Sequence, residues 1–407
     1  MKKLLSILCA AVLLATLVIT CVSCGGSSVS ADFKIGAILI GDENEGYTYA
    51  HINGIRTAAK ELGMSDDQII WKYTVPEDEK CYDAAIDLVE QGCSVIFSNS
   101  YGHQSHMKQA AQECPDVTFV AMTGDQAATS GLSNYKNAFT GVYQSRYVAG
   151  VVAGMKLAEL VADGKLTDAN YDGDNIKLGY VGAYPYAEVV SGFTAYYLGV
   201  KSVVENVTMQ VTYTNSWFDI TAEGTVAEAL AADGCVIISQ HADSTGAPAA
   251  VQALQDKGQV IYCVGYNVDM LSVAPNAALT SPTNNWAVYY KYAMETAANG
   301  GDIVTNWAQG YEADAVGITA LGSACAAGTQ EKVDEVVKGL KDGSIKVFDT
   351  SKFTVGGATL TEYLADVDGD FAPDTNAIWD GYFHESEMRS APYFDIRIDG
   401  IVENNNN

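Results

Sequence analysis

The feature that most constrains the fold of this chain is a series of four apolar runs that occurs twice in the same order. The first series lies at residues 33–40, 69–75, 93–98 and 117–122, and the second at 176–183, 207–214, 235–240 and 260–265. Matched runs are about 140 residues apart throughout, which indicates an internal duplication. Near-continuous apolar strands that alternate with helical segments are typical of parallel sheets buried on both faces. The sequence therefore predicts two similar α/β lobes.

The N-terminus has the pattern of a secretory signal. Lys2 and Lys3 precede an apolar run at 4–22, and small residues surround Cys24 in the sequence VSCGG at 22–26. This arrangement resembles a bacterial lipobox, which implies that Cys24 becomes a lipidated first residue. A plain cleaved signal or an uncleaved apolar anchor are the alternatives. No other apolar run reaches the roughly 18 residues that a membrane span needs.

The composition of the chain disfavours some classes of binding partner. The formal net charge is −27, so no basic surface is available to neutralise phosphates, and nucleic acid is not expected as a partner. The chain has no metal-ligand spacing of cysteines and histidines and no nucleotide-binding or nucleophile motif. We therefore expect no metal, no cofactor and no catalysis. Six of the nine cysteines follow Cys24, and their pairing is left open.

The segments between and after the two series predict several crossings between the lobes. The first part of residues 138–154 is a candidate crossing between the lobes, and the second part is predicted to be a helix of small residues, in which Gly150 and Gly154 permit close packing. Further helices are predicted at 285–298 and 330–343, and a strand at 304–311. The predicted organisation is a signal at 1–24, a linker at 25–33, a first lobe at 34–140 plus about 270–302, a second lobe at 141–269 plus about 303–348, and a C-terminal extension at 349–407.

Polar and aromatic residues follow the strands at their carboxyl ends, where doubly wound sheets bind ligands. Trp217 and Asp219 lie in a turn after one strand and suit a flat polar ligand, but Trp217 could instead be a core anchor and Asp219 the N-cap of a helix at 220–232. After the first strand of the second series, Tyr184, Tyr186 and Glu188 are further candidates. The predicted ligand-binding set is Tyr47, Ser100, Tyr101, Thr123, Trp217, Asp219, His241, Asp243, Tyr266, Asn267, Asp269 and Trp286.

Several motifs together resemble the basic membrane lipoprotein family, the substrate-binding proteins of ABC transporters. They are the lipobox, the duplicated lobes, NAFTG at 137–141, YVAGVVAG at 147–154, NSWFD at 215–219 and GYNVD at 265–269. The resemblance implies a type I periplasmic-binding-protein fold, with two doubly wound α/β lobes joined by a multi-strand hinge. It also implies that Trp217 stacks on a purine and that Asn267 or Asp269 takes the acidic role at the ribose. Two stretches, 45–51 and 280–286, differ from the nucleoside-binding branch and match a sister branch of the family.

The function implied is that of an extracytoplasmic, lipid-anchored solute-binding protein of an ABC importer, which binds a purine nucleoside or nucleobase in the interlobe cleft. Its partners would be the small-molecule ligand, the transporter permease and, through the lipid on Cys24, the membrane. Three alternatives stay open. The ligand could be a sugar or another small polar metabolite, the protein could be a ligand-sensing receptor partner, or the cleft could hold an enzyme.

The anchor is tested by Cys24→Ala. Without the thiol no lipid can be attached, so the variant should leave the membrane fraction or keep its signal segment. Fractionation followed by mass spectrometry of the N-terminus measures both. A variant that is processed and retained like the parent would contradict the lipobox interpretation.

Overall fold

The computed structural model describes residues 29–404, so Cys24 and the predicted signal lie outside the described residues. The first part of the described chain alternates strands and helices, as its apolar pattern predicts. In chain order the elements are β1 (Ile35–Ile38), α1 (Gly46–Glu61), β2 (Ile69–Lys72), α2 (Glu79–Glu90), β3 (Val95–Ser98), α3 (Gln104–Glu113), β4 (Thr118–Met122) and β5 (Tyr135–Thr140).

The second part repeats this alternation after a long helix. Its elements are α4 (Val142–Ala162), β6 (Tyr171–Asp172), β7 (Asn175–Gly182), α5 (Ala187–Lys201), β8 (Val207–Tyr213), α6 (Ile220–Ala232), β9 (Ile237–His241), α7 (Gly246–Asp256) and β10 (Tyr262–Val264).

Shorter strands then accompany two more helices. These elements are β11 (Pro282–Asn284), α8 (Trp286–Ala298), β12 (Asn306–Gln309), β13 (Val316–Ile318), α9 (Thr329–Lys341), β14 (Leu364–Ala365), β15 (Thr375–Asn376), β16 (Ile378–Trp379), β17 (Tyr382–Phe383) and β18 (Ile401–Glu403).

The strand orders of the two large sheets confirm the duplication. The first sheet has the order β12-β5-β4-β3-β1-β2, and all its pairs are parallel. The second has the order β10-β9-β7-β8-β18, also parallel, and β6 pairs antiparallel with β7. The four matched runs thus occupy equivalent places, since β4-β3-β1-β2 corresponds to β10-β9-β7-β8. In each lobe the first strand lies between the second and the third.

Apolar side chains cover both faces of each large sheet. In the first lobe, Ile35 packs with Ile55 of α1 on one face, and Ile38 packs with Leu88 of α2 on the other. The second lobe has corresponding clusters on its two faces. Within residues 29–404 the six cysteines are free thiols, and no helix has the length and apolar character needed to cross a membrane.

The structure corrects two of the predicted lobe boundaries. Strand β12, which the sequence analysis assigns to the second lobe, pairs with β5 in the first sheet. The segment from Met270 to Ala278, assigned to the first lobe, packs against the second sheet instead. The C-terminal extension, assigned as a separate unit, adds β18 to the second sheet and packs Ala391 into the first-lobe core. The extension therefore contacts both lobes.

Helices α4 and α5 pack closely because glycines face each other at their crossing. A Cβ at Gly150 would lie 2.1 Å from the carbonyl oxygen of Tyr196, and one at Gly199 would lie 2.1 Å from the carbonyl oxygen of Tyr147. Such distances exclude any side chain unless the helices separate. This contact fixes α4, which leads out of the first sheet, against the second lobe.

Gly150→Ala should therefore lower the stability of the protein. Overpacking of this kind costs about 1–3 kcal/mol, and the two backbones have little room to relax. Thermal and urea unfolding of the variant beside the parent measure the loss.

Gly224→Ala is the matched control, because Gly224 is also within a helix, α6, and a Cβ added there would have no neighbour closer than 3.4 Å. Replacing an unhindered helical glycine by alanine should be neutral or stabilising by up to about 1 kcal/mol. Equal unfolding midpoints for the two variants would contradict the packing argument.

Candidate functional site

A cavity of about 390 Å³ lies between the two lobes, at the carboxyl ends of their parallel strands. This is the position that the strand order predicts, because loops after adjacent parallel strands converge at one edge of a sheet. The lining residues are Ile40, Gly41, Asp42, Asn44, Glu45, Tyr47, Thr74, Glu77, Asn99, Ser100, Tyr101 and Thr123 of the first lobe and Glu188, Trp217, Phe218, Asp243 and Tyr266 of the second.

The first-lobe wall is held by hydrogen bonds between neighbouring strand ends. Asn99, directly after β3, accepts a hydrogen bond from the Ile40 backbone N–H at 2.8 Å and donates to the Thr48 hydroxyl at 3.1 Å. The Tyr47 hydroxyl donates to the Asn99 carbonyl oxygen at 2.5 Å. Nearby, Tyr101 donates to Asp125 at 3.1 Å. These bonds orient two aromatic rings before any ligand is present.

The second-lobe wall carries an aromatic group around Trp217. The rings of Tyr184 and Tyr186 stack on each other at 5.1 Å between centroids, and that of Trp217 lies 5.5 Å from Tyr184 and 6.3 Å from Tyr186. Asn215, with a φ of 56°, reverses the chain after β8. The Asp243 backbone N–H donates to the Trp217 carbonyl oxygen at 2.8 Å, which joins this turn to the loop after β9.

A cluster of charged groups lies at the second-lobe side of the cavity. Arg146 of α4 is fully buried, donates to the Gln240 carbonyl oxygen at 2.5 Å, and has its guanidinium carbon 3.6 Å from the centroid of the Tyr266 ring. His241 Nε2 is 3.4 Å from Glu188 Oε1, and Asp243 is also buried. The cluster therefore contains one permanent cation and two carboxyl groups.

Burial shifts the titration of this cluster. It raises the pKa of Glu188 to about 7, although the Arg146 charge acts in the opposite direction. It also raises the pKa of Asp243 well above its ordinary value, and the charges of Glu45 and Glu188 add to that rise. The pKa of His241 is lowered by burial and by Arg146. Near neutral pH the cavity thus holds carboxyl groups that bind protons more readily than carboxyl groups in water do.

Seven of the twelve predicted binding residues line the cavity: Tyr47, Ser100, Tyr101, Thr123, Trp217, Asp243 and Tyr266. Two more lie directly behind the wall. The His241 ring contacts the Tyr266 ring at 4.9 Å between centroids, and Asn267 donates to Asp243 Oδ1 at 2.7 Å. Asn267 has a φ of 62°, a left-handed conformation that asparagine tolerates.

The other three predicted residues lie outside the cavity. Asp219 is the N-cap of α6 and accepts from the backbone N–H groups of Thr221 and Ala222, as the alternative interpretation of that turn predicts. Asp269 accepts from the Leu271 N–H in a turn of its own. Trp286 is in the first-lobe core, stacked on His51 at 4.3 Å. Trp286 is the first residue of α8, and its ring packs against α1 in the core instead of lining the cleft.

The predicted set omits several lining residues and the cation behind them. Asn99 and Glu77 line the cavity but are absent from the set, although Asn99 directly follows a predicted strand. Arg146 could have been identified as a candidate from the sequence, because it is the one lysine or arginine in the mostly apolar and small-residue stretch 138–154. A buried arginine needs partners, and the partners available in this fold are the strand ends that surround the cleft.

Comparison with known proteins agrees with this architecture. A solved ABC transporter solute-binding protein from Aeropyrum pernix K1 superposes with a TM-score of 0.63 at 15% identity, covering 80% of this chain and 94% of that chain. Similarity at this level of identity shows the fold, which is the type I periplasmic-binding-protein fold.

Sequence comparison gives closer relationships. A purine-binding protein of Brucella abortus (strain 2308) is 32% identical over 267 residues, 65% of this chain and 69% of that protein. A putative ABC transporter glucose-binding protein of Haloferax volcanii is 29% identical over 277 residues, 68% of this chain and 64% of that protein. The family model described as ABC transporter substrate-binding protein PnrA-like (Bmp) matches residues 40–350. That match spans most of the chain, including every residue that lines the cavity and all strands of the two large sheets except β1 and β18. The protein therefore belongs to the Bmp family of PnrA-like ABC transporter substrate-binding proteins.

Proposed function

We propose that this protein binds a purine nucleoside or nucleobase in its interlobe cavity and delivers it to an ABC importer from the outer face of the cell membrane, to which lipid at Cys24 anchors it. The observation that carries this proposal is the lining of the cavity, where aromatic rings and carboxyl groups occur together and no lysine or arginine of residues 29–404 takes part. Such a lining suits a flat, neutral, hydrogen-bonding ligand and disfavours a phosphate.

Trp217 supplies the stacking surface in this proposal. Its ring is half-buried, so one part packs against Tyr184 and Tyr186 while another faces the cavity. Tyr47 and Tyr101 lie across the cleft on the first lobe. A base held between these walls would be contacted by both lobes, so its binding would favour the closed arrangement of a hinged two-lobe protein.

A sugar is the second candidate, because one relative is named as a putative glucose-binding protein and aromatic rings with carboxylates also suit a pyranose. Isothermal titration calorimetry with adenosine, guanosine, inosine, adenine, ribose and glucose separates the two. We expect a dissociation constant of about micromolar or tighter for at least one purine, roughly −8 kcal/mol, and no saturation by glucose. Saturation by glucose alone would overturn the purine assignment.

Trp217→Ala should weaken purine binding by about 5- to 150-fold, the range given by a stacking contribution of roughly 1–3 kcal/mol per base. The thermal midpoint should fall less than for a fully buried aromatic, because the ring is only half-buried and packs at the edge of the second-lobe core. Titration and melting of the same preparation measure both effects.

Asp219→Asn is the matched control in the same turn. Asparagine is as good an N-cap as aspartate, so stability should stay within about 1 kcal/mol and affinity should be unchanged. A Trp217→Ala protein that melts much earlier yet binds purines like the parent would remove Trp217 from the site.

The raised pKa of Glu188 predicts how the stability of the protein changes with pH. In the folded protein this carboxyl, facing Arg146, His241 and Asp243, has a pKa of about 7 against an ordinary value of 4.5. The folded state therefore holds the proton more tightly, and this contribution to stability is lost as pH rises from 4.5 to 7. Relative to Glu188→Gln, the ligand-free parent should lose at most about 1.4 kcal/mol per pH unit in that window.

Urea unfolding of the parent and of Glu188→Gln at pH 5, 6, 7 and 8 measures the difference directly. Comparing the two proteins cancels the contribution of His51, whose pKa is lowered by burial and which therefore acts in the opposite direction. A difference that is constant from pH 5 to pH 8 would contradict the assigned protonation of Glu188.

A further inference from the structure

A second cavity lies beside the segments that cross between the lobes, and it shares no lining residue with the interlobe cavity. Its volume is about 220 Å³, below the roughly 300–1,000 Å³ of sites for drug-sized ligands, so it suits a small molecule. The lining residues come from 141–144 after β5, 308–312 at the end of β12, 340–348 at and after the end of α9, and 382–387 of the C-terminal extension. The extension therefore completes a cavity next to two crossing segments.

The two crossing segments are held against each other at this cavity. The Gly141 backbone N–H donates to the Gln309 carbonyl oxygen at 2.7 Å, and Gln144 Oε1 accepts the Tyr311 backbone N–H at 2.8 Å. A Cβ at Gly310 would lie 2.3 Å from Gln144 Oε1, so glycine is needed there to admit the glutamine side chain. These contacts form the wall of the cavity without any ligand.

Opposite charges line this cavity without forming an ion pair. Lys346 Nζ lies 4.6 Å from the centroid of the Tyr382 ring, and no carboxyl oxygen of residues 29–404 lies within 4.0 Å of it. Glu312 Oε1 accepts the Gly310 backbone N–H at 2.7 Å, and no cationic side chain of the same range lies within 4.0 Å of Glu312. A cavity between an unpaired lysine and an unpaired glutamate suits a ligand that carries both charges.

Two further carboxyl groups, those of Glu385 and Glu387, line the cavity and are already engaged. Glu385 is buried and accepts backbone N–H groups of the extension with both oxygens, and Glu387 Oε2 lies 2.8 Å from His384 Nδ1. Burial raises the pKa of the Tyr143 hydroxyl, and the charges of Glu385, Glu312 and Glu387 add to that rise, so all three carboxyl groups act at one place in the cavity. Glu312 is the one that is available to a cationic group of a ligand.

The uncharged part of the lining offers both hydrogen bonds and apolar contact. The Ser386 hydroxyl is shielded from solvent and has no partner in the part of the chain that the structure describes. The Gln309 side chain forms no hydrogen bond with another described residue. Leu340, Ile345 and Phe383 supply an apolar wall. A ligand with a short apolar chain beside its polar groups would contact all three kinds of side chain.

We propose that this cavity is a second ligand site, which binds a small α-amino acid with an apolar side chain, its carboxylate at Lys346 and its ammonium group at Glu312. A ligand with a carboxylate alone would meet three glutamates, and a ligand with an ammonium group alone would leave the lysine charge uncompensated. An amino acid satisfies both charges at once. The inference is independent of the ligand that occupies the interlobe cavity.

Matched ligands test the two charges separately. L-Leucine, L-leucinamide and N-acetyl-L-leucine share one side chain, but the amide lacks the carboxylate and the acetyl compound lacks the ammonium group. In isothermal titration calorimetry at about 0.15 M salt, which screens binding to the acidic surface, leucine should bind with a dissociation constant of about 1 mM or tighter and each analogue about tenfold or more weakly. L-Valine and L-methionine complete the panel. No saturation by any of the three amino acids up to about 10 mM, or equal binding of leucine and its two analogues, would overturn the inference.

Variants locate the site. Lys346→Met and Glu312→Gln each remove one charge with little change in side-chain length, so each should weaken leucine binding by about tenfold or more. Lys352→Met and Glu362→Gln make the same changes at exposed positions of the extension outside the cavity and should bind leucine like the parent. Thermal melts confirm that each variant is folded. Parental affinity in both Lys346→Met and Glu312→Gln would overturn the assignment of this cavity.

Trp217→Ala distinguishes the two cavities, because its side chain lines only the interlobe one. This variant should bind leucine like the parent. Leucine binding that is lost in Trp217→Ala and kept in both Lys346→Met and Glu312→Gln would place the amino acid in the interlobe cavity and overturn this inference. Absence of purine binding beside unchanged leucine binding would overturn the proposed function alone.

Discussion

The buried guanidinium of Arg146 is the interaction on which the rest of the cleft depends. It lies in the second turn of α4, directly after the chain leaves the first sheet, yet its contacts are with the second lobe. It donates to the Gln240 carbonyl oxygen at the end of β9 and covers the face of the Tyr266 ring after β10. Its charge also opposes the rise in the pKa of Glu188. Because a buried charge is tolerated only beside compensating groups, Arg146 holds strand ends, an aromatic ring and a carboxyl group in one arrangement.

A chain of hydrogen bonds connects this arrangement to the crossings between the lobes. Asp243 accepts from Asn267 at 2.7 Å, and Asn267 accepts from Asn284 at 3.1 Å. Asn284 in turn accepts from Thr140, the last residue of β5. Asn284 and Thr140 both lie where the chain passes from one lobe to the other. These hydrogen bonds join a cavity carboxyl group to two of the segments that cross between the lobes.

The sequence predicted the strands that have strong apolar runs. It did not show where the edge strands pair, or which side chains of a turn line the cavity. The eight matched strands carry apolar runs, so the duplication and the cleft between two parallel sheets followed from them. Strand β12 lies within the strand predicted at 304–311, but the sequence did not show that it pairs at the edge of the first sheet, and β18 was not predicted at all. Both strands are short, exposed in part and lie at sheet edges. Within the site, Trp217 and Asp219 are two residues apart in one turn, yet one lines the cavity and the other caps a helix. That choice is made by the left-handed Asn215 and by backbone bonds to distant loops, which no local pattern encodes.

Most of the C-terminal extension lies beyond the part of the chain that the family model matches, which ends at residue 350. Strand β18 is hydrogen-bonded parallel to β8, so the end of the extension is part of the second sheet. Earlier in the extension, the Arg389 guanidinium lies 3.9 Å from carboxyl oxygens of both Asp366 and Asp125, and Asp125 accepts the hydroxyl of cavity-lining Tyr101. The extension thus contacts, through Arg389, a first-lobe residue that holds the side chain of a cavity-lining tyrosine. Ala391 packs in the first-lobe core and Ser390 donates to Asn306 of β12, so this part of the extension is attached to the first lobe, whereas its end is part of the second sheet. The extension is therefore a further connection between the two lobes, in addition to the crossings of the chain near the cleft.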